Sequence, residues 1–507
     1  MILRRLLIVI TLAVFILVSC GRAKEKSKII DQSKLKHPTN RVAAEWEPAL
    51  GTIVVWPLDL PHKLIIELAK DAKLYTIVPN VEEIEIAKEW YTKWNIDLSN
   101  VEFIVSAQGL DSWWARDWGA FAVFDSVGVL RLADGQYQYS TPVTTIGCND
   151  SLEFLFSEKD EKTGAQKIIL TTDDDNTPLD IANYMGYERI NLPFTFTGGN
   201  VFMDGRGAAL STCVIKNENR YIGNSDEELL NDSRALLGIE TYNFIPNFEY
   251  SGIQHIDCYL KVLDNNRLFV MQPPTDHELY QVYEDIVTNE LSKLKNAQGE
   301  PYEIIRLNTV RYKDERLAAY SNSLILNKNI YVPMFGIPQD SVALKQWESV
   351  MPGYTVKGFY YRVFEEPKLH PRVLERRVSG LGWKDGDALH CRTRAMWDPQ
   401  MLYIAFAKRP SKTENSLTFE ANIIDYSNSG LVRSEMQLVW REKASSKWNT
   451  VQLEESNQAN YYNASISNLT SDKTIEYYIK ATTVGGKTQK APMTAPKGFY
   501  SVNLSTL

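Results

Sequence analysis

Thr52-Ile53-Val54-Val55-Trp56 is a β-branched run ending in an aromatic residue, and an amphipathic stretch from His62 to Lys70 follows it. A second pair comes directly after, Leu74 to Val78 and then Val81 to Trp94. Runs rich in Val, Ile and aromatic residues suit strands, whereas apolar residues three or four apart share one face of a helix. The alternation predicts strand–helix–strand modules. It recurs at Val101 to Val105, Leu179 to Met185, Glu227 to Leu237 and Glu278 to Leu294, with a hairpin-like pair in Ser323 to Pro333. The chain up to Pro410 therefore reads as α/β.

After Pro410 helical periodicity fades. Short alternating runs take over at Leu417 to Ile424, Met436 to Trp440, Thr450 to Leu453, Tyr461 to Ile466 and Ile475 to Val484, the last ahead of Gly485-Gly486. Regularly spaced short strands with turn signals predict a β-sandwich of immunoglobulin-like type, here without a Cys pair.

A chain of 507 residues has room for about two or three cores. Its 44% hydrophobic and 23% charged residues are those of a globular protein, and a net charge of -8 with no long basic face excludes a nucleic-acid footprint. Arg4-Arg5 followed by the uncharged run Leu6 to Val18 has the layout of an export signal and is short for a membrane-spanning helix. Leu17-Val18-Ser19-Cys20-Gly21 resembles a bacterial lipobox, in which Cys20 becomes the lipidated first residue. The expectation is an exported protein, lipid-anchored through Cys20 at the bacterial cell envelope, on the outer membrane or cell surface. Residues 20–42, polar and without apolar periodicity, read as the lipidated Cys and a flexible tether.

The remaining cysteines, Cys148, Cys213, Cys258 and Cys391, lie far apart with no C-x-x-C pair. They do not look like a disulfide framework, and at least one is expected to stay free for chemistry.

Three segments carry reactive side chains. Gln254-His255-Ile256-Asp257-Cys258-Tyr259-Leu260-Lys261-Val262 alternates like a strand, which would put His255 and Asp257 on one face, as a structural pair or as a working one. Trp113-Trp114-Ala115-Arg116-Asp117-Trp118-Gly119 sets an acid among aromatic rings. That pattern serves core packing, or it holds a cation by a ring on its flat face and a carboxylate on its N–H edge. In Asp387-Ala388-Leu389-His390-Cys391-Arg392-Thr393-Arg394, the basic neighbours favour a thiolate at Cys391, although a free Cys also serves as a small buried apolar residue.

Taken in order with Thr197-Gly198-Gly199-Asn200 and Ser321-Asn322-Ser323-Leu324, these segments resemble the guanidino-group-modifying superfamily, most closely the bacterial peptidylarginine deiminases, with agmatine deiminases somewhat further away. The resemblance starts at Ala44-Glu45-Trp46-Glu47-Pro48 and runs to about Ala407. It implies a pseudo-symmetric propeller of five α/β modules followed by the immunoglobulin-like sandwich. The implied layout is a signal peptide at 1–19, the lipidated Cys and tether at 20–42, a deiminase catalytic domain at 43–410 and the sandwich at 411–507. It also implies Cys391 as nucleophile, His255 as general acid and base, Asp117 and Asp257 as the carboxylates that grip the guanidinium, Asn322 beside the nucleophile and Trp114 on the flat face of the substrate. The family's bacterial members need no metal, so neither a metal nor another cofactor is expected.

The chemistry asks for these residue types in its own right. A guanidinium stays protonated and its resonance makes the central carbon a poor electrophile. Two fixed carboxylates localise the charge, the cation favours the thiolate, and a histidine moves the protons. The expected reaction turns arginine in a peptide or protein into citrulline and ammonia by way of a covalent thiouronium on Cys391. The rival readings are an agmatine deiminase, a cysteine peptidase using Cys391, His255 and Asn322, and an arginine-binding surface lipoprotein without turnover. Export speaks against the first, and the chain order His, Asn, Cys speaks against a papain-like second.

Two further stretches bear on ligands. Asp173-Asp174-Asp175-Asn176 has Pro178 where a calcium loop needs Gly and Tyr184 where it needs Glu, so it reads as a solvated turn. The family member that acts on C-terminal arginines clamps the peptide carboxylate with an Arg pair shortly after its aspartate motif. The matching stretch, Leu130 to Tyr139, holds Arg131 alone. Internal arginines, or a small guanidine, are therefore the expected substrates.

Overall fold

The computed structural model describes residues 29–30, 32, 37–137, 148, 158–159, 162–164, 166–167, 172–249, 253–313, 316–361, 370–371, 382–383, 388–413, 416–469 and 473–507. The expected signal peptide, Cys20, Tyr139 and Asp387 lie outside them. Among the described residues no helix is long and apolar enough to cross a membrane.

The chain divides into two units, 37–398 and 399–507, the second including the N-terminal segment. In the first unit the opening stretch forms the predicted elements. Ala49–Val55 lies parallel to Lys73–Val78, which lies parallel to Val101–Val105, with helices His62–Asp71 and Glu82–Lys93 as the crossovers. Glycine is required at Gly51, because a Cβ there would sit 1.8 Å from the Lys73 carbonyl oxygen. The fourth strand, Arg394–Trp397, comes from the far end of the unit and pairs antiparallel with Ala49–Val55.

Four further sheets repeat this plan of an antiparallel pair followed by a helical crossover to a parallel strand. Phe121–Phe124 and Leu130–Gln136 are joined through helix Thr172–Met185 by Glu188–Thr195, and Arg41–Val42 adds an edge. Phe202–Met203 and Ala208–Thr212 are joined through helices Val214–Tyr221 and Asp226–Leu237 by Thr241–Ile245. The same holds for Leu260–Asp264, Arg267–Gln272 and Glu303–Asn308 around helix Tyr280–Asn289, and for Leu324–Leu326, Asn329–Met334 and Thr355–Tyr360 around helix Gln339–Val350. Local sequence sets these boundaries. Ser225 caps helix Asp226–Leu237 in a capping box with Glu228, and Gly238 ends it at φ 69°.

One consequence of the plan positions the chemistry. The turn just before the first strand of each antiparallel pair carries one of the motifs read from the sequence. Ala115–Trp118 precedes Phe121, Gly198–Asn200 precedes Phe202, and Ile256–Cys258 precedes Leu260. Ser321-Asn322-Ser323 precedes Leu324, and His390–Arg392 precedes Arg394.

The core of the second unit is formed by two antiparallel sheets of five strands each. One holds Leu402–Phe406, Ser411–Lys412, Ser416–Asp425, Tyr461–Ser467 and Glu454–Glu455; the other holds Asn449–Gln452, Gln437–Glu442, Thr474–Thr482, Thr488–Ala491 and Tyr500–Asn503. Phe419, Ile423 and Tyr462 from the first share one core with Leu438, Ile475 and Ile479 from the second, the alternation of strand side chains supplying the inward face of each.

Three readings need correction. The break between units falls at 398/399 rather than at 410, because Leu402–Phe406 pairs with Ser416–Asp425 and belongs to the second unit. Residues 20–42 are not a tether throughout. Ile29–Ile30 pairs with Leu431–Val432, Gln32 bonds the Ile423 carbonyl at 2.8 Å, and Arg41 is buried against Glu47 at 2.7 Å. Such a stretch is invisible to periodicity because its few apolar and polar groups pair with partners remote in sequence. Asp174 and Asp175 lie in a helix, not a solvated turn, and Asp174 accepts from the backbone N–H groups of Asp111 and Ser112. Cys148 and Cys213 form a disulfide, and Cys258 and Cys391 lie outside that bond and are buried.

Candidate active site

Asp117, His255, Asp257 and Cys391 are each no more than 2% exposed, so charges among them act through little water. Gly199 lies where three of them meet. A Cβ on it would stand 2.4 Å from Asp117 Oδ1, 3.1 Å from His255 Nδ1 and 3.3 Å from Asp257 Oδ2. Its own N–H donates to Asp117 Oδ1 at 3.0 Å. The absent side chain leaves three polar groups facing one another across a space that any larger residue would fill.

Cys391 stands in the turn His390–Arg392. Its Sγ receives a hydrogen bond from Asn322 Nδ2 at 3.2 Å and lies 3.6 Å from Asp257 Oδ2. Asn322 Oδ1 in turn accepts from the backbone N–H of His390 at 2.8 Å, so one amide orients both the sulfur and the turn that bears it.

His255 and Asp257 converge with the others, but not as neighbours on a strand face. Gln254 takes φ 55°, and Ile256–Cys258 is a 3-10 turn closed by the Cys258 N–H on the His255 carbonyl at 3.1 Å; the strand starts at Leu260. Asn200 Oδ1 pins the turn by accepting the Ile256 N–H at 3.1 Å. His255 Nδ1 is 3.5 Å from Asp117 Oδ1. Burial pulls the His255 pKa down, but the charge and hydrogen bonding of Asp117, then Asp257 and Glu218, outweigh it and leave the pKa above its ordinary value. Burial likewise pushes Asp257 up, and His390, His255 and Arg116 hold it below the usual carboxylate value.

Trp114 is partly buried at the head of the short helix Ala115–Trp118. Its ring meets the chain's own Arg392, whose guanidinium carbon lies 5.5 Å from the Trp114 centroid, 5.2 Å from that of Trp383 and 5.8 Å from that of Tyr361. Asp59 Oδ2 completes this cage at 3.0 Å from Arg392 Nη1.

Behind the site lies a buried ionic cluster whose members the chemistry-bearing motifs did not single out. Glu45 Oε1 is 2.7 Å from Lys261 Nζ, and Glu45 Oε2 is 2.8 Å from His390 Nε2 and 3.8 Å from Arg116 Nη1. Burial opposes the Glu45 charge, but Lys261, His390 and Arg116 hold its pKa well below normal. Desolvation lowers Lys261 to about 8 against the raising effect of Glu45. Glu218, on helix Val214–Tyr221, is buried, and its Oε2 has no hydrogen-bond partner among the described residues; desolvation lifts its pKa to about 7, against the charge of His255. Glu45 had a sequence signal in the stretch that opens the resemblance, and His390 stood next to the cysteine. Arg116 and Lys261 lay inside the quoted segments but, like Glu218, carried no sign of burial, since a lone charged residue on an element usually faces solvent. Among the described residues no group of three or more His, Cys, Asp and Glu is placed to hold a metal ion.

Residues 41–366 match the family described as Porphyromonas-type peptidyl-arginine deiminase, and the chain belongs to that family. An agmatine deiminase of Pseudomonas aeruginosa (strain LESB58) is 24% identical over 367 residues, covering 62% of this chain and 89% of that protein. The chain spans only 58% and 57% of the length of relatives from Vibrio parahaemolyticus and Mycoplasma capricolum. Among solved structures, one from Porphyromonas gingivalis aligns with a TM-score of 0.52 at 18% identity, covering 71% of this chain and 99% of that one. The agmatine deiminase of Enterococcus faecalis gives 0.51 at 17% identity, covering 73% and 100%. At these identities the likeness is one of fold.

Proposed function

We propose that the unit 37–398 hydrolyses the guanidinium group of arginine in peptides or proteins, giving citrulline and ammonia. The observation that carries this reading is the convergence of Asp117, His255 and Asp257 on Gly199, with Cys391 Sγ 3.6 Å from Asp257. Asp117 and Asp257 take the N–H edges of the guanidinium and fix its carbon before the thiolate. Cys391 Sγ bonds to that carbon and a tetrahedral adduct forms. One C–N bond then breaks, and His255 gives its proton to the departing nitrogen, which leaves as ammonia. His255 next takes a proton from water, whose oxygen attacks the remaining thiouronium. The C–S bond breaks, the thiolate returns, and the ureido product is released as the proton left on the attacking oxygen passes to solvent. Desolvation strengthens each of these charge contacts.

Agmatine is the second reading, favoured by the relatives named agmatine deiminase. Internal arginines are the preferred peptide class in this proposal. Arg131, the lone arginine of the stretch matching the carboxylate clamp, is engaged with Asp125 at 3.2 Å and Glu188 at 3.5 Å. We further propose that the five sheets of this unit are the modules of a propeller around the site. The two-sheet unit is immunoglobulin-like in this reading, and Cys20 is lipidated and holds the protein at the outer membrane or cell surface.

The deciding assay offers an internal-arginine peptide, a peptide ending in arginine, free arginine and agmatine to the wild type and to Cys391→Ala, and follows ammonia and ureido product. Cys391-dependent ureido formation from the internal-arginine peptide is expected. Turnover of agmatine alone moves the assignment to the second reading, peptide cleavage without ureido product makes it a peptidase, and binding without turnover makes it a binding protein.

A further inference from the structure

His390 stands between two carboxylates. Its Nδ1 lies 2.7 Å from Asp257 Oδ2 and its Nε2 lies 2.8 Å from Glu45 Oε2. An ionised carboxylate oxygen only accepts, and a neutral imidazole has one N–H and one lone pair. A neutral ring would satisfy one of these contacts and press its lone pair against the other oxygen at hydrogen-bond distance. Two attractive contacts need one more proton, on the ring or on a carboxylate. Both carboxylates lie below the usual carboxylate value against the cost of burial, and each has cations other than His390 beside it, Lys261 and Arg116 for Glu45, His255 and Arg116 for Asp257. The ring is where the proton belongs.

We infer that His390 is a buried imidazolium bridging Glu45 and Asp257, and that it acts as a positioning residue for Asp257 and for the Cys391 thiolate beside it. The inference rests on Cys391 being the nucleophile proposed above. Asp257 Oδ2 is the oxygen that faces both His390 and, at 3.6 Å, Cys391 Sγ. A cation on the far side of that oxygen offsets its charge, so the thiolate forms next to a neutral pair rather than next to a bare carboxylate. Without it, two anions would share a site no more than 2% exposed.

The groups around His390 act in both directions. Burial, then Arg116 and Lys261, pull its pKa down, Glu45 and the hydrogen bond to Asp257 pull it up, and the balance of these charges and burial lies below the ordinary value. Arg116 also donates from Nε to the His390 carbonyl at 3.3 Å, and the Phe202 ring packs at 5.7 Å. The first three alone argue for a neutral ring, the two short contacts for a cation. The contacts decide it, because they set both ring nitrogens against carboxylate oxygens at hydrogen-bond distance, and the Glu45 carboxylate that faces the ring also faces Lys261 at 2.7 Å and Arg116 at 3.8 Å.

The chain's six histidines allow a direct test by long-range nitrogen–proton NMR on the full-length protein at pH 7.5, with the His390 signals assigned by their loss in His390→Gln. Both ring nitrogens are expected to carry a proton in the wild type, and a bare nitrogen overturns the inference. The pH dependence of iodoacetamide alkylation at Cys391, located by peptide mass, reads the effect on the thiol. In Glu45→Gln the ring needs no second proton, and the alkylation midpoint is expected to move up by about one pH unit. An unmoved midpoint in a folded Glu45→Gln overturns the positioning role. Should that variant not fold, the wild-type ring spectrum still decides. Because neither readout needs turnover, a failed deiminase assay and a failed inference are separate results.

Discussion

Asn322 holds Cys391 at both ends, donating from Nδ2 to Sγ at 3.2 Å and accepting the Cys391 backbone N–H on Oδ1 at 3.4 Å. A neutral donor at that distance stabilises the thiolate over the thiol.

Asn322→Ala is therefore expected to lower kcat/KM about 10- to 100-fold, the worth of one hydrogen bond to a charged group. Asn322→Asp, which keeps the shape but brings a second carboxylate to the sulfur, should be lower still. Steady-state kinetics on the preferred guanidine checks both, and a loss below about threefold for the alanine variant would contradict the assigned contact.

Gly199→Ala tests the centre of the site. Its Cβ would meet Asp117 Oδ1 at 2.4 Å, and that carboxylate must move. Ground-state binding and folding should both suffer, with Kd for the substrate rising about tenfold or more and a stability cost of about 1–3 kcal/mol from overpacking. Calorimetric titration of the double variant with Cys391→Ala separates the two. Unchanged affinity would show that Asp117 does not grip the guanidinium.

Glu218 links stability to pH. Its folded pKa, raised from 4.5 to about 7 chiefly by burial, means that its contribution is fully present below 4.5 and is lost as the pH rises through 7. Glu218→Gln escapes that loss. The variant should gain stability relative to the wild type between pH 5 and pH 8, by about 1–3 kcal/mol, as read from urea melts at the two values. It should also draw the basic limb of the rate profile toward lower pH, because Glu218 is one of the anions that keep His255 protonated.

The disulfide between Cys148 and Cys213 closes a span of 65 residues. Cross-linking a loop of that size limits the unfolded chain, and Cys148→Ser should cost about 2–4 kcal/mol. Melting with and without reductant checks this. The wild type should fall to the level of the variant, and the variant should not respond. Cys213 immediately precedes helix Val214–Tyr221, which carries Glu218, so part of the loss should appear as a shifted pH profile of the rate.

Much of this was written locally. Runs such as Thr52 to Trp56 and Leu74 to Val78 announce their strands because β-branched residues suit a pleated, buried surface, and His62 to Lys70 announces its helix by the spacing of Leu64, Ile65 and Leu68. The reactive residues were legible as types within short motifs, since guanidinium chemistry limits which side chains can serve. Their local conformation was misread at His255 and Asp257, where a residue at positive φ breaks an alternating pattern that periodicity alone takes for a strand.

What the sequence determined by itself was therefore the kind of each element and the inventory of Cys391, His255, Asp117, Asp257 and Asn322. Only the tertiary structure decided which of them meet. It did so by placing each motif in the turn ahead of a strand pair and by closing Arg394–Trp397 onto Ala49–Val55. It also decided the partners that no spacing reveals, among them Glu45 against His390, Lys261 against Glu45 and Cys148 against Cys213. Hydrophobic patterning is read from neighbours along the chain, whereas a buried charge is defined by whatever distant group compensates it, and that group is known only once the chain has folded.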